Sequence, residues 1–183
     1  KVIENTPERL TEVRGIGRVK SEAICSAWDE HHAIRALMGF LRQAGVAQRH
    51  GARLLRLYGT DALETLRKDP YRVTEDLPRI GFTIGDAVAR DLGLPADAPE
   101  RLRAGFIHLL DRSVSDGHVF VDQKQLIGRC ADLTGVDAAT AKQALADVAA
   151  AGEVVITRGA GPSRTPAVYP KSLYAAETGV AER

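Results

Sequence analysis

Apolar residues in this 183-residue chain recur at helical spacing over most of its length, and three times they are interrupted by a short turn on a common register. Val13-Arg14-Gly15-Ile16-Gly17 is followed by Ser21 and Ile24. Thirty positions on come Gly45-Val46-Ala47, Gly51 and Leu54, and sixty-four on come Leu77, Ile80-Gly81, Gly85 and Val88. The pattern predicts a helix-hairpin-helix, repeated. Thr6 with Pro7 predicts a short helix through Val13. A second helix carries Val19, Ala23, Ile24, Ala27 and Trp28 on one side, and a third carries Ile34, Leu37, Met38 and Leu41 and stops at Gly45. Leu54, Leu55 and Leu57 make the next stripe. Asp61 caps a helix of Ala62, Leu63 and Leu66 that Pro70 terminates, and the last hairpin runs from Leu77 through Gly81 to Leu92.

The stretch Gly93-Leu94-Pro95-Ala96-Asp97-Ala98-Pro99 breaks the pattern and reads as a domain boundary. Beyond it, a helix from Pro99 to Gly117 is followed by a short β-rich piece, His118 to Val121. Asp122 with Gln125 resembles a capping box opening the next helix, which Gly135 closes. Asp137 caps another, closed by Gly152, and Val154–Thr157 with Ala167–Tyr169 predict a hairpin. Helix, strand, helix, helix and hairpin is the order of a winged helix. The fold class expected is mainly α: a tandem helix-hairpin-helix domain over 1–94, then a winged-helix-like α+β domain over 99–172 ending in a β-hairpin, with 173–183 as a connection.

A glycine turn leading straight into a helix exposes backbone N–H groups and the positive end of the helix dipole, which favours an anion. Gly15 supplies a positive φ and Gly17 allows close approach. Gly15, Ile16, Gly17, Arg18 and Lys20 are therefore a candidate phosphate site, and Gly81 and Thr83 are the third hairpin's counterparts. Such a site reads the nucleic-acid backbone, not base identity.

The net charge is only +1, but the distribution is uneven. No Asp or Glu occurs from His31 to Thr60, a window that holds Arg35, Arg42, Arg49, Arg53 and Arg56. Arg49, Arg53 and Arg56 stand at i, i+4, i+7 and extend the phosphate track. Arg158, Arg164 and Lys171, in an acid-free run, are candidate wing contacts. Lys142, Gln143 and Asp147 on the preceding helix supply little positive charge, which argues against groove reading.

Composition is that of a globular protein, and 5% aromatic residues argue against a base-stacking platform. No apolar run approaches membrane-spanning length. Cys25 and Cys130 stand far apart in helical patterns and suit a reducing compartment as buried thiols. There is no Gly-Lys pair and so no P-loop, the histidines lack metal spacing, and the carboxylates are spread as caps and surface pairs. No catalytic residue, metal ligand or cofactor site is assigned, and Lys1 reads as the start of a fragment.

Leu10 to Ile24, Gly45 to Tyr58, and Asp69-Pro70-Tyr71-Arg72 followed by Ile80-Gly81-Phe82 resemble the N-terminal region of RecD-like DNA helicases, the RecD/TraA group. The resemblance continues through Glu100-Arg101-Leu102-Arg103-Ala104-Gly105, Asp116-Gly117-His118-Val119 and Val168-Tyr169-Pro170. It implies an accessory region upstream of an ATP- and Mg-dependent motor that moves 5′ to 3′ on DNA in repair or recombination. The motor, in the same polypeptide, lies outside this sequence. The partners implied are single-stranded or fork DNA and that motor, with no membrane, in a bacterial cytoplasm and at the nucleoid when bound. The chain departs from the hairpin pattern at Ala47 and Arg79, where turn glycines are expected, which makes those two copies structural and leaves the first hairpin as the main phosphate site. Two other readings stand beside DNA-backbone binding: a scaffold docking onto the motor or a repair factor, and a lesion nuclease or glycosylase.

Overall fold

A computed structural model describes residues 2–157 and 165–181. The protein is mainly helical with a three-stranded antiparallel sheet, and it divides into two compact units, Lys1–Lys68 and Asp69–Arg183.

The first unit contains α1 (Val2–Asn5), a 3₁₀ helix at Pro7–Glu12, α2 (Arg18–Gln43), a 3₁₀ turn at Gln48–His50, α3 (Gly51–Tyr58) and, after a 3₁₀ turn at Gly59–Asp61, α4 (Ala62–Lys68). The two helices expected between Gly17 and Gly45 are one helix of 26 residues. The physical reason is plain in Asp29-Glu30-His31-His32, which changes the polarity of the pattern but holds neither Gly nor Pro to stop the helix. The segment from Pro7 forms a 3₁₀ helix rather than an α-helix, and Thr6 makes no side-chain cap. The core gathers around the C-terminal half of α2, where Leu37, Phe40 and Leu41 pack with Val46, Leu54, Ala62 and Leu66. Over the N-terminal half of α2 only Ser21 is buried, its hydroxyl 3.4 Å from the Pro7 carbonyl.

The second unit begins with the pair α5 (Arg72–Asp76) and α6 (Gly81–Asp91). It continues through α7 (Pro99–Ser115), β1 (Val121–Asp122), α8 (Gln123–Thr134), α9 (Ala138–Ala150), β2 (Val154–Thr157), β3 (Ala167–Pro170) and α10 (Lys171–Ala181). The caps stand where expected: Asp122 accepts from the Gln125 amide at 3.0 Å, and Asp137 from those of Ala139 and Thr140 at 2.8 and 2.9 Å. The sheet order is β1-β3-β2, with Val155 opposite Tyr169 and Val121 opposite Val168. The strand expected over His118 to Val121 is confined to Val121 and Asp122. Phe106, Leu110, Leu126, Cys130, Leu145, Val154 and Val168 form the main core. Burial there pushes the Cys130 thiol up to about 12, so it is an inert packing residue.

Composition placed a boundary at Gly93–Pro99, whereas the compact units divide between Lys68 and Asp69. The cause is a buried ion pair across the Gly93–Pro99 loop. Arg101 of α7 donates from Nε to Asp86 Oδ1 of α6 at 2.6 Å, and from Nη1 to the Thr134 and Ala96 carbonyls at 2.6 and 2.9 Å. Arg90 and the Tyr71 hydroxyl also reach Asp86, at 2.9 and 3.2 Å. Burial raises the Asp86 carboxyl, but hydrogen bonding and charge from Arg101 outweigh it and hold the group below the ordinary carboxylate range.

Candidate nucleic-acid interface

The first hairpin turns at Gly15, with φ +92°, and at Gly17, the N-cap of α2. The Ile16 amide donates to the Val13 carbonyl at 3.0 Å, closing the turn. Gly17 has no side chain to cap with, so the first-turn amides of α2 lack the partner that Ser or Asp would supply. The tip is open: a Cβ on Gly15 or Gly17 would meet nothing within 4 Å, and Val13 and Val19 are 54% and 80% exposed. Lys20 folds back, its Nζ 3.1 Å from the Gly15 carbonyl, so its charge sits at the turn. Arg18 points elsewhere and pairs with Glu22 at 3.1 Å.

The second expected hairpin shares the positive φ of the first but closes differently. Gly45 takes φ +73°, and the Val46 and Gly45 amides donate to the carbonyls of Leu41 and Arg42, ending α2 in a Schellman closure. Ala47 occupies the N-cap position with ordinary extended φ and ψ of −62° and 133°, which needs no glycine. Arg49 lies in the 3₁₀ turn that runs on into α3, and Arg53 and Arg56 lie on α3 itself, all three exposed. Arg42, Arg53 and Arg56 form no ion pair among the described residues. The one ionisable group lying among them registers the field: burial first, then the charges of Arg49 and Arg53, lower the His50 imidazole.

In the third hairpin Arg79 takes the left-handed conformation, φ +77°, that Gly15 and Gly45 take in the first two. The turn geometry therefore survives without its glycine. Gly81 serves packing: it is buried, its amide donates to the Leu77 carbonyl at 2.7 Å, and a Cβ on it would overlap the Val73 carbonyl. Gly85 likewise lies against Pro70, 2.5 Å from where its Cβ would stand. Thr83 is exposed on α6. Of the three candidate wing residues, Arg158 and Arg164 lie outside the described residues, and Lys171 is exposed at the start of α10.

Residues 30–120 match the family described as the ATP-dependent RecD2 DNA helicase HHH domain. This part of the chain belongs to the RecD2 helix-hairpin-helix family. A similar protein is the ATP-dependent RecD2 DNA helicase of Deinococcus radiodurans, 28% identical over 125 residues that make up 68% of this chain. The chain spans 17% of that relative's length.

The RecD2 match contains the second and third hairpins and begins after the first, so the Arg49, Arg53 and Arg56 face falls inside it and the Gly15 to Lys20 tip outside. Charge also separates the units: Lys1–Lys68 holds twelve Lys and Arg against eight Asp and Glu, and Asp69–Arg183 thirteen against sixteen. Arg42 belongs with the exposed arginines of the second hairpin. Its place in the acid-free window, three residues before the Gly45 turn, was visible in the sequence, and the structure adds that it is exposed.

Proposed function

We propose that this chain is a DNA-backbone-binding accessory region of an ATP-dependent helicase, holding phosphates without reading bases. The observation that carries the proposal is the row of exposed arginines at the second hairpin, Arg42, Arg49, Arg53 and Arg56, in a stretch with no carboxylate, within the RecD2 match. Arg49 Nε reaches the His50 ring at 3.4 Å, and the exposed guanidinium groups of Arg42, Arg53 and Arg56, with no carboxylate partner among the described residues, are suited to phosphate, each neutralised phosphate releasing counterions. The tip of the first hairpin, Gly15, Ile16, Gly17 and Lys20, adds a second, weaker anion site by its open amides.

The parent protein would supply the P-loop motor with ATP and Mg, act in repair or recombination in a bacterial cytoplasm, and move 5′ to 3′. The order α7, β1, α8, α9, β2, β3 supports a winged-helix reading of residues 99–172, and the hairpins a tandem helix-hairpin-helix reading before it. A scaffold role is favoured by one observation, the excess of carboxylates over cations in Asp69–Arg183, which suits a protein contact better than DNA.

Fluorescence anisotropy with random-sequence DNA tests the proposal. Binding at low salt is expected, weakened at least tenfold by Arg53→Glu with Arg56→Glu. An absence of binding at low salt, or identical affinity in the double variant, would overturn it.

A further inference from the structure

Because α2 is a single helix, its charged residues can be placed around one axis at about 100° per residue. Lys20, Ala27, His31, Arg35 and Arg42, with the half-buried Ile24 and Met38 between them, then fall within a stripe about 80° wide that contains no carboxylate. Glu22 and Asp29 lie on the opposite side, with Arg18, which pairs with Glu22. Lys20, His31, Arg35 and Arg42 are all exposed, and Arg35 Nη2 is 3.3 Å from His31 Nδ1, which keeps the guanidinium along the helix. The backbone positions of Lys20 and Arg42 are about 33 Å apart along the axis and about 40° apart around it. That separation is close to one turn of B-form DNA, roughly 34 Å.

We infer that the cationic stripe of α2 lies along duplex DNA and meets phosphates one helical turn apart, Lys20 at one end and Arg35 with Arg42 at the other. This rests on the reading of the first unit as a phosphate binder and adds its ligand: a duplex at least a turn long. A rigid helix imposes that spacing, and a flexible single strand has no matching repeat. The aromatic side chains of the first unit point the same way. Trp28 is half-buried against His32 with rings 4.7 Å apart, Phe40 is buried under Arg67, and Tyr58 is half-buried, so no Trp, Tyr or Phe ring among the described residues of this unit is exposed to stack a base.

The test is anisotropy of the whole chain on blunt duplexes of about 6 to 18 base pairs, a range that brackets one turn, with single strands of matched lengths. Affinity for duplex is expected to rise at least tenfold, with a steeper salt dependence, between about 8 and 12 base pairs. The step should be absent on single strands. Lys20→Glu should remove it, because the cations left on the stripe span less than one turn of duplex. Glu22→Gln, on the opposite side, should leave the step in place. A smooth rise with length, or a step indifferent to Lys20→Glu, would overturn the spacing while leaving DNA binding intact. Failure to bind any duplex or strand would instead overturn the proposed function itself.

Discussion

In the second unit the arginines that shape the fold are paired with carboxylates, Arg101 buried on Asp86 and the partly exposed Arg103 bridging Glu75 and Glu153 at 2.8 and 2.7 Å. In the first unit Arg42, Arg53 and Arg56 face solvent with no ion pair among the described residues. The same residue type therefore does two jobs. A guanidinium whose donors are occupied by carboxylates and carbonyls, as in Arg101, fixes helices to one another. An exposed one contributes little to stability and remains available to a ligand. The hairpins repeat the contrast: Gly15 and Gly17 open onto solvent, whereas Gly81 and Gly85 let α6 lie against the backbone of α5 and the turn before it.

Asp86→Ala removes the carboxylate that holds Arg101. It strands a buried guanidinium and should destabilise the second unit by about 3–5 kcal/mol in chemical denaturation. A loss below about 1 kcal/mol would mean that the pair does not organise the fold. Next in size is Gly81→Ala, expected to cost about 1–3 kcal/mol by forcing α5 and α6 apart. Gly17→Ala, with nothing near its Cβ, should cost under about 1 kcal/mol. Equal costs at the two sites would erase the distinction between packing and open glycines.

Arg53→Glu with Arg56→Glu should shift unfolding free energy by less than about 0.5 kcal/mol while reducing DNA affinity, since neither residue supports the fold. A large stability loss there would reassign both to structure. The smallest effect expected is a pH dependence. His108 is 8% exposed and stacked on Phe82 at 5.3 Å, and burial first, then Arg112, lowers its imidazole from 6.5. The unfolded chain takes up a proton that the folded one refuses, so this contribution is complete above pH 6.5 and is lost as pH falls below it. His108→Phe should flatten the denaturation midpoint over that range, and an unchanged profile would remove His108 as its source.

Much of this architecture was legible in the sequence because it depends on local chemistry. Asp122 and Asp137 cap helices through their own side chains, and Gly117, Gly135 and Gly152 take the positive φ that helix ends favour. The positive-φ turns at Gly15, Gly45 and Arg79 fall at the spacing of the repeated small and apolar residues. What escaped was tertiary. Asp86 and Arg101 are fifteen residues apart, and nothing in either segment announces that both are buried together, so Gly93–Pro99 read as a linker although the structure closes it into one unit. The continuity of α2 was hidden by a change of polarity at Asp29 that resembles a boundary without any residue able to make one. Gly81 was legible as a turn glycine, but its buried amide and its contact with Val73 depend on α5 lying across it.

Phosphate neutralisation by the first unit, as proposed, would show itself in the salt dependence of DNA affinity. If the arginine face neutralises three or more phosphates, log K should fall linearly with log salt at a gradient of about −3 or steeper on duplex, and Arg53→Glu with Arg56→Glu should make it shallower by about 2. A gradient near zero in the unaltered chain, or one unmoved by the double substitution, would contradict the account.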